Sequence, residues 1–114
     1  KQMGGTGYEI GNAITTDANG NVFTTGIFSG TADFDPGVGT TNLTPAGGND
    51  IFIQKLDATG NFLWAKQMGG TGYEIGNAIT TDADGNVYTT GSFVGTVDFD
   101  PGVGVTNFVS AGGG

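Results

Sequence analysis

Four stretches in the first part of the chain carry the apolar and β-branched residues of short strands. Residues 12–16 hold small and β-branched side chains, and residues 21–28 form a second stretch. Residues 50–56 contain an apolar stretch that lacks polar alternation, and residues 61–67 combine aromatic, aliphatic and polar positions. Runs that lack strict polar alternation are typical of strands buried on both faces. The pattern predicts an all-β chain, since no segment carries a sustained helical period.

One turn motif, Asp-Ala-x-Gly-Asn, separates strands in this pattern. It occurs at residues 17–21, 57–61 and 82–86. An Asp side chain can accept hydrogen bonds from the N–H groups of its own turn, and Gly readily adopts the positive φ that a tight turn needs. We therefore predict that the first and second strands form one hairpin, and that the third and fourth form another.

The same unit occurs nearly twice in the chain. Residues 66–114 match residues 1–49 at an offset of 65, with ten differences. Such a unit cannot bury its own faces and needs stacked neighbours. Four short antiparallel strands between two neighbours are typical of a β-propeller blade. We predict blades of about 65 residues in an incomplete ring, with a first repeat (a permuted blade) at 1–65 and a second at 66–114, truncated before its last strands.

Composition and charge narrow the possible functions. The formal net charge is -8, from 3 Lys+Arg against 11 Asp+Glu, and the chain contains neither Cys nor His. This charge disfavours nucleic acid and anionic lipid as partners, and favours cations. The composition excludes thiol nucleophiles and removes the commonest general base. No apolar run approaches the length of a membrane span, so we expect no membrane insertion.

The motif Asp-Phe-Asp-Pro-Gly is the best candidate for a metal site. It places Asp33 and Asp35 in the first repeat, and Asp98 and Asp100 in the second. In an extended segment both carboxylates point to one side, roughly 7 Å apart, where they could hold Ca²⁺. The alternative is structural: each Asp accepts N–H groups of its own loop while Pro-Gly makes a turn. Beyond a possible Ca²⁺, we expect no cofactor.

Three further side chains invite a functional interpretation. Glu9 and Glu74 lie in equivalent Gly-rich loops that would pass from one blade to the next, and we expect them to be solvated carboxylates. Trp64 could be a sugar-stacking platform. Because it is flanked by Phe62, Leu63 and Ala65, we expect it to pack between blades instead.

Several motifs resemble a known bacterial family. Asp-Gly-Asn-Val-Tyr-Thr-Thr-Gly at 84–91, Gly-Thr-Val-Asp-Phe-Asp-Pro-Gly at 95–102 and the segment 50–66 are similar to the β-propeller repeats called SBBP repeats. The resemblance implies multi-blade propellers in secreted or cell-surface proteins of bacteria, often within very long chains. It implies no catalytic residues.

Three classes of function follow from these observations. The first is a non-enzymatic structural, adhesive or assembly module whose partners are further copies of the same repeat. The second is a Ca²⁺-dependent module that binds a glycan or a surface protein, with repeated sites that would add avidity. The third is a glycosidase that uses Asp33 and Asp35, which is disfavoured because a catalytic pair needs two different environments. The first class is the prediction.

Overall fold

The computed structural model describes residues 2–102 and 107–109, and every regular element in that part of the chain is a β-strand. The strands are β1 (Gly4–Gly5), β2 (Glu9–Thr16), β3 (Val22–Phe28), β4 (Ala32–Asp33), β5 (Asn42–Leu43), β6 (Asp50–Leu56), β7 (Phe62–Gly70), β8 (Glu74–Thr81), β9 (Val87–Phe93), β10 (Thr96–Asp98) and β11 (Asn107–Val109). Over those residues, no helix is long and apolar enough to cross a membrane.

The main sheet has six strands in the order β11-β10-β7-β6-β3-β2, and its antiparallel meander of β2, β3, β6 and β7 is here called the first sheet. β3 pairs with β2 on one side and with β6 on the other, and β6 pairs with β7. The predicted four-stranded blade and its two hairpins are therefore confirmed. Two strands are longer than predicted: β2 begins at Glu9 and β7 continues to Gly70.

The Gly-rich ends of these strands explain the difference in length. Gly69 and Gly70, at the end of β7, pair with Asp98 and Val97 of β10. The equivalent residues Gly4 and Gly5 form β1, which pairs with β4. Glycine has low intrinsic strand preference, so only the pairing partner extends the strand there. The predicted repeat boundary between residues 65 and 66 falls inside β7, and the two repeat ranges stay a prediction.

Both faces of the first sheet are covered by apolar residues. One face carries a cluster that consists of Phe23, Ile51, Ile53, Met68 and Ile79. The other face carries a second cluster, which consists of Phe28, Ala32, Phe34 and Phe52. β6 contributes to both clusters and is buried from Asp50 to Gln54. The apolar stretch at residues 50–56 was thus correctly interpreted as a strand buried on both faces.

The second hairpin, made of β8 and β9, packs against the first sheet. Its strand β8 contributes Ile79 to the cluster on that face. The hairpin repeats the geometry of β2 and β3, including a β-bulge between Gly76 and Ala78 that matches the one between Gly11 and Ala13. Its sheet has two strands, and most of β9 is exposed. Burial on both faces, predicted for the strands of the first unit, is wrong for β2, where Ile10 and Ile14 are exposed.

Candidate functional site

The Asp-Phe-Asp-Pro-Gly loop of the first repeat is held by its own carboxylates. Asp33 Oδ1 accepts the backbone N–H groups of Asp35 (3.0 Å) and Thr41 (2.8 Å). Asp35 Oδ1 accepts the N–H of Gly37 at 2.7 Å. Phe34, between the two carboxylates, is fully buried. The buried side-chain amide of Gln54 donates to the Phe34 carbonyl at 2.6 Å, which fastens the loop to β6.

The second copy of the loop repeats these contacts. Asp98 Oδ1 accepts the N–H of Asp100 at 2.9 Å, and Asp100 Oδ1 accepts that of Gly102 at 2.8 Å. In both copies, the geometry is that of the structural alternative, in which the carboxylates stabilise their own loop. Among the described residues, no group of three or more His, Cys, Asp or Glu side chains could hold a metal ion. Ca²⁺ binding by these four Asp residues stays a prediction.

The two loops border acidic cavities at equivalent places. A cavity of about 560 Å³ is lined in part by Glu9, Asp33 and Asp35. A second cavity of about 320 Å³ is lined in part by Asp50, Asp98 and Asp100. The second cavity therefore combines the second-repeat loop with a carboxylate from the first repeat. This points to the junction between repeats, rather than to either loop alone, as the place where carboxylates of different repeats meet.

At this junction the crossover from β7 to β8 lies along the segment that enters β6. The N–H of Gly48 donates to the Gly72 carbonyl, and the N–H of Glu74 donates to the Asn49 carbonyl, both at 3.1 Å. The ring of Tyr73 packs over Gly48, where a Cβ atom would lie only 2.8 Å from Tyr73 Cε1. Backbone pairing and the missing side chain of Gly48 thus hold the two repeats in register.

Two carboxyl groups from different repeats meet beside this backbone contact. Asp50 begins β6, Glu74 begins β8, and both side chains are 0% exposed. Asp50 Oδ2 accepts the N–H of Ala46 at 3.0 Å, and Glu74 Oε2 accepts that of Gly70 at 3.2 Å. The remaining oxygens, Asp50 Oδ1 and Glu74 Oε1, are buried and have no N–H or hydroxyl donor. The two carboxyls are near enough for the charge of Asp50 to act on Glu74, and one of them could bond to the other only if it carried a proton.

Burial changes the acidity of both groups. Desolvation raises the pKa of Glu74 to about 7, from 4.5, and the neighbouring charge of Asp50 adds to the effect. Desolvation also raises the pKa of Asp50, although N–H donors and the interaction with Glu74 oppose the increase. Both carboxyls therefore hold a proton more readily than exposed carboxyls do.

The prediction that Glu74 is a solvated loop carboxylate is therefore wrong. Its neighbour Asp50 comes from the first repeat and lies directly on the β7 backbone, because Gly69 has no Cβ atom that would occupy that space. Glu9, the equivalent residue, is half-buried, and its Oε1 is also buried without a partner. The one sequence signal was an acidic residue at the start of a strand in each repeat, and that signal does not identify the partner.

Trp64 packs beside the apolar cluster that the two repeats share. Its ring lies edge-on to Phe23, with centroids 6.2 Å apart, and it borders the cluster to which Ile79 of the second hairpin belongs. This agrees with the expected packing role at a junction between blades.

Comparisons with known proteins agree with this architecture. A four-stranded antiparallel meander, followed by a hairpin that packs on it and repeats the register of its first two strands, is the arrangement of consecutive blades in a protein of β-propeller type. Residues 63–92 match the family model of the SBBP β-propeller repeat, so the resemblance seen in the sequence is confirmed. The chain is also 31% identical, over 106 residues, to an uncharacterized WD repeat-containing protein of Acanthamoeba polyphaga mimivirus. That match covers 81% of this chain and 8% of the relative. No solved structure matches the chain.

Proposed function

We propose that this chain is a non-enzymatic structural unit of a longer β-propeller array, in which each repeat docks on the sheet of the repeat before it. The observation that carries the proposal is the packing of the second hairpin on the first sheet. Ile79 enters the apolar cluster of that sheet, and the Asn12 side chain donates to the Gly76 carbonyl at 2.7 Å. At the far end of β8, the Thr81 hydroxyl donates to the Thr16 carbonyl at 3.0 Å.

The natural partner of such a unit is another copy of the same repeat. In the first repeat, β3 pairs with β6 from Val22 to Phe28. β9 is the equivalent of β3, and its corresponding edge has no partner strand among the described residues. An unpaired edge offers a row of N–H and C=O groups to an added strand. A segment equivalent to β6, from a following repeat or from another molecule, is therefore the expected occupant of that edge.

Extension of the chain tests this proposal. A copy of residues 50–65 appended after Gly114 should slow hydrogen exchange of the β9 amides, because the added segment can pair with β9 as β6 pairs with β3. The control is the same extension with Pro at the positions of Phe52 and Gln54, since Pro cannot donate to the ladder. Sedimentation velocity separates pairing within one chain from association between chains. Equal β9 exchange in both variants would contradict the proposal.

The absence of enzymatic activity is part of the proposal. The support is chemical: the chain has no His or Cys. Asp33 and Asp35 both accept N–H groups of their own loop. Hydrolysis of any substrate in a polysaccharide panel, with loss of activity in Asp35→Asn, would overturn it.

We also propose a secreted or cell-surface location, for which the support is the SBBP resemblance. Protease treatment of intact source cells should release peptides of this chain, and protection until the cells are lysed would contradict the assignment. Ca²⁺-dependent binding of a glycan or surface protein stays a prediction from the sequence.

A further inference from the structure

The carboxyl pair at the repeat junction lies where two repeats are held together. Asp50 comes from β6 of the first sheet, and Glu74 from β8 of the second hairpin. The backbone bond from Glu74 to Asn49 joins the same two segments. Any force between the two carboxyls therefore acts directly on the docking of one repeat on the next.

Among the described residues, the printed contacts of these two carboxyls include no positive charge that would balance two carboxylates. Asp50 Oδ2 lies 3.3 Å from the neutral amide of Gln67 in β7, and the cavity beside Asp50 is lined by Asp98 and Asp100. Lys55 lies over the ring of Phe23, 5.0 Å from its centroid. Two ionised carboxylates in contact at a buried site repel each other, and both lose hydration.

We propose that Asp50 and Glu74 share one proton, and that this proton stabilises the docking of the second hairpin on the first sheet. The docking of consecutive repeats therefore weakens as the pH rises. The Glu74 carboxyl donates its O–H to Asp50, which stays ionised. When Glu74 loses the proton, the hydrogen bond becomes a repulsive contact between two buried anions.

A proton fits this site better than a metal ion does. Ca²⁺ takes six to eight oxygen ligands, whereas two carboxyls are present at the contact. Over the described residues, no cluster of three acidic, His or Cys side chains could complete such a site.

The pH window follows from the acidity of Glu74. Its pKa is about 7 in the folded chain, against an ordinary value of 4.5. Between these values the docked state binds more protons than the undocked state, so docking weakens as the pH rises through the window and changes no further above it. Below pH 4.5 the group is protonated in both states and has no effect. Within the window, the opening constant of the hairpin should rise by up to about tenfold per pH unit.

If the chain is a unit of a longer array, as proposed above, the same proton-sharing pair can recur along that array. Glu9 is the equivalent of Glu74 at the 65-residue offset, and its Oε1 is likewise buried without a partner. In an array of such repeats, one proton-sharing pair would recur at each junction. This recurrence rests on the proposed function, whereas the pair within this chain does not.

The experiment combines a titration with a measurement of docking. Carbon-detected NMR of the side-chain carboxyls should give Glu74 a titration midpoint near 7. Hydrogen exchange, corrected for intrinsic rates, should show the β8 and β9 amides opening more often at about pH 8 than at about pH 5, with little change in β3 and β6. Glu74→Gln should abolish this pH dependence and stay docked throughout, because its amide can donate to Asp50 in place of the proton.

Glu9→Gln is the matched control, since it is the same substitution at the equivalent position, and it should keep the pH dependence. A Glu74 midpoint near 4.5, or equal pH dependence in Glu74→Gln and the unmodified chain, would overturn the proposal. Docking restored at about pH 8 by CaCl₂, but not by NaCl of equal ionic strength, would also overturn it, in favour of a cation. If the hairpin were docked equally at every pH, the shared proton would be refuted, but the proposed structural function would not be contradicted.

Discussion

At the scale of single residues, identical side chains at equivalent positions of the two repeats have different environments. Tyr8 donates its hydroxyl to Asn49 Oδ1 at 2.6 Å, whereas the ring of Tyr73 packs over Gly48. Glu74 is fully buried, whereas Glu9 is half-buried. The difference cannot come from local sequence, because residues 1–10 and 66–75 are the same. It comes from which side of a repeat junction each residue occupies.

The turn residues, in contrast, have the same environment wherever the motif occurs. Asp17, Asp57 and Asp82 each accept N–H groups two and four residues ahead. Gly20, Gly60 and Gly85 all have φ between 79° and 87°. Hydrogen bonds from Asn21 and Asn86 lower the pKa values of Asp17 and Asp82. These turns were predicted correctly because the N–H groups that cap them lie within four residues of each Asp.

Asp57 gives a test of this capping. Bonds from the Asn61 N–H and side chain lower its pKa to about 2, from 3.8. The charged form therefore stabilises the fold above pH 3.8, and this contribution is lost as the pH falls toward 2. Asp57→Ala should lower the urea midpoint at neutral pH, and the gap to the unmodified chain should narrow in acid. Asp57→Asn keeps the acceptor oxygen, so its urea midpoint should fall less than that of Asp57→Ala. If the difference in midpoint between Asp57→Ala and the unmodified chain were constant with pH, the role of the charge would be contradicted.

At the scale of elements, the predicted strands and hairpins formed because period and turn chemistry are local. The ends of β2 and β7 were missed, since Gly-rich segments become strands only where a partner pairs with them. The Asp-Phe-Asp-Pro-Gly loop belongs to this scale too. Its aromatic residue Phe34 packs between Phe28 and Phe52, with ring centroids 5.2 Å and 4.8 Å away. The loop is therefore anchored by a buried ring as well as by its carboxylates.

Removal of this ring should lower the free energy of unfolding more in the first repeat than in the second. Phe34 is fully buried, so Phe34→Ala should destabilise the first sheet by about 3–5 kcal/mol. The equivalent Phe99 is only half-buried and pairs with Phe93 at 5.1 Å, so Phe99→Ala should cost clearly less. Urea unfolding of both variants measures the difference. Equal losses would mean that the loop rings do not contribute through burial.

At the scale of the whole molecule, the stacking of the repeats depends on small residues at the contact. Gly76 of β8 lies against the first sheet, and a Cβ atom there would lie 2.7 Å from Thr25 Oγ1 and 3.0 Å from Ile51 Cγ2. At the equivalent Gly11, a Cβ atom would meet only Thr24 Cγ2, at 3.9 Å. The same residue type is thus required at one position by packing and is replaceable at the other.

This pair gives a matched test of docking. Gly76→Ala should destabilise the contact by about 1–3 kcal/mol, because the added methyl group overpacks the interface. Gly11→Ala should be neutral or slightly stabilising, since Ala loses less conformational entropy than Gly on folding. Hydrogen exchange of the β8 and β9 amides measures docking in both variants. A similar effect of the two substitutions would contradict the observed stacking.

The sequence by itself determined the strands, the turns, the repeat and its β-propeller class, because each depends on side-chain periodicity or on partners a few residues apart. Only the tertiary structure decided that Asp50 meets Glu74 and that Gly76 lies against Thr25 and Ile51. Those contacts join segments of different repeats, and the stacking of one sheet on another sets their geometry. The same stacking removes water from two carboxyls, and the loss of hydration gives Glu74 an acidity that its local sequence, shared with Glu9, does not encode.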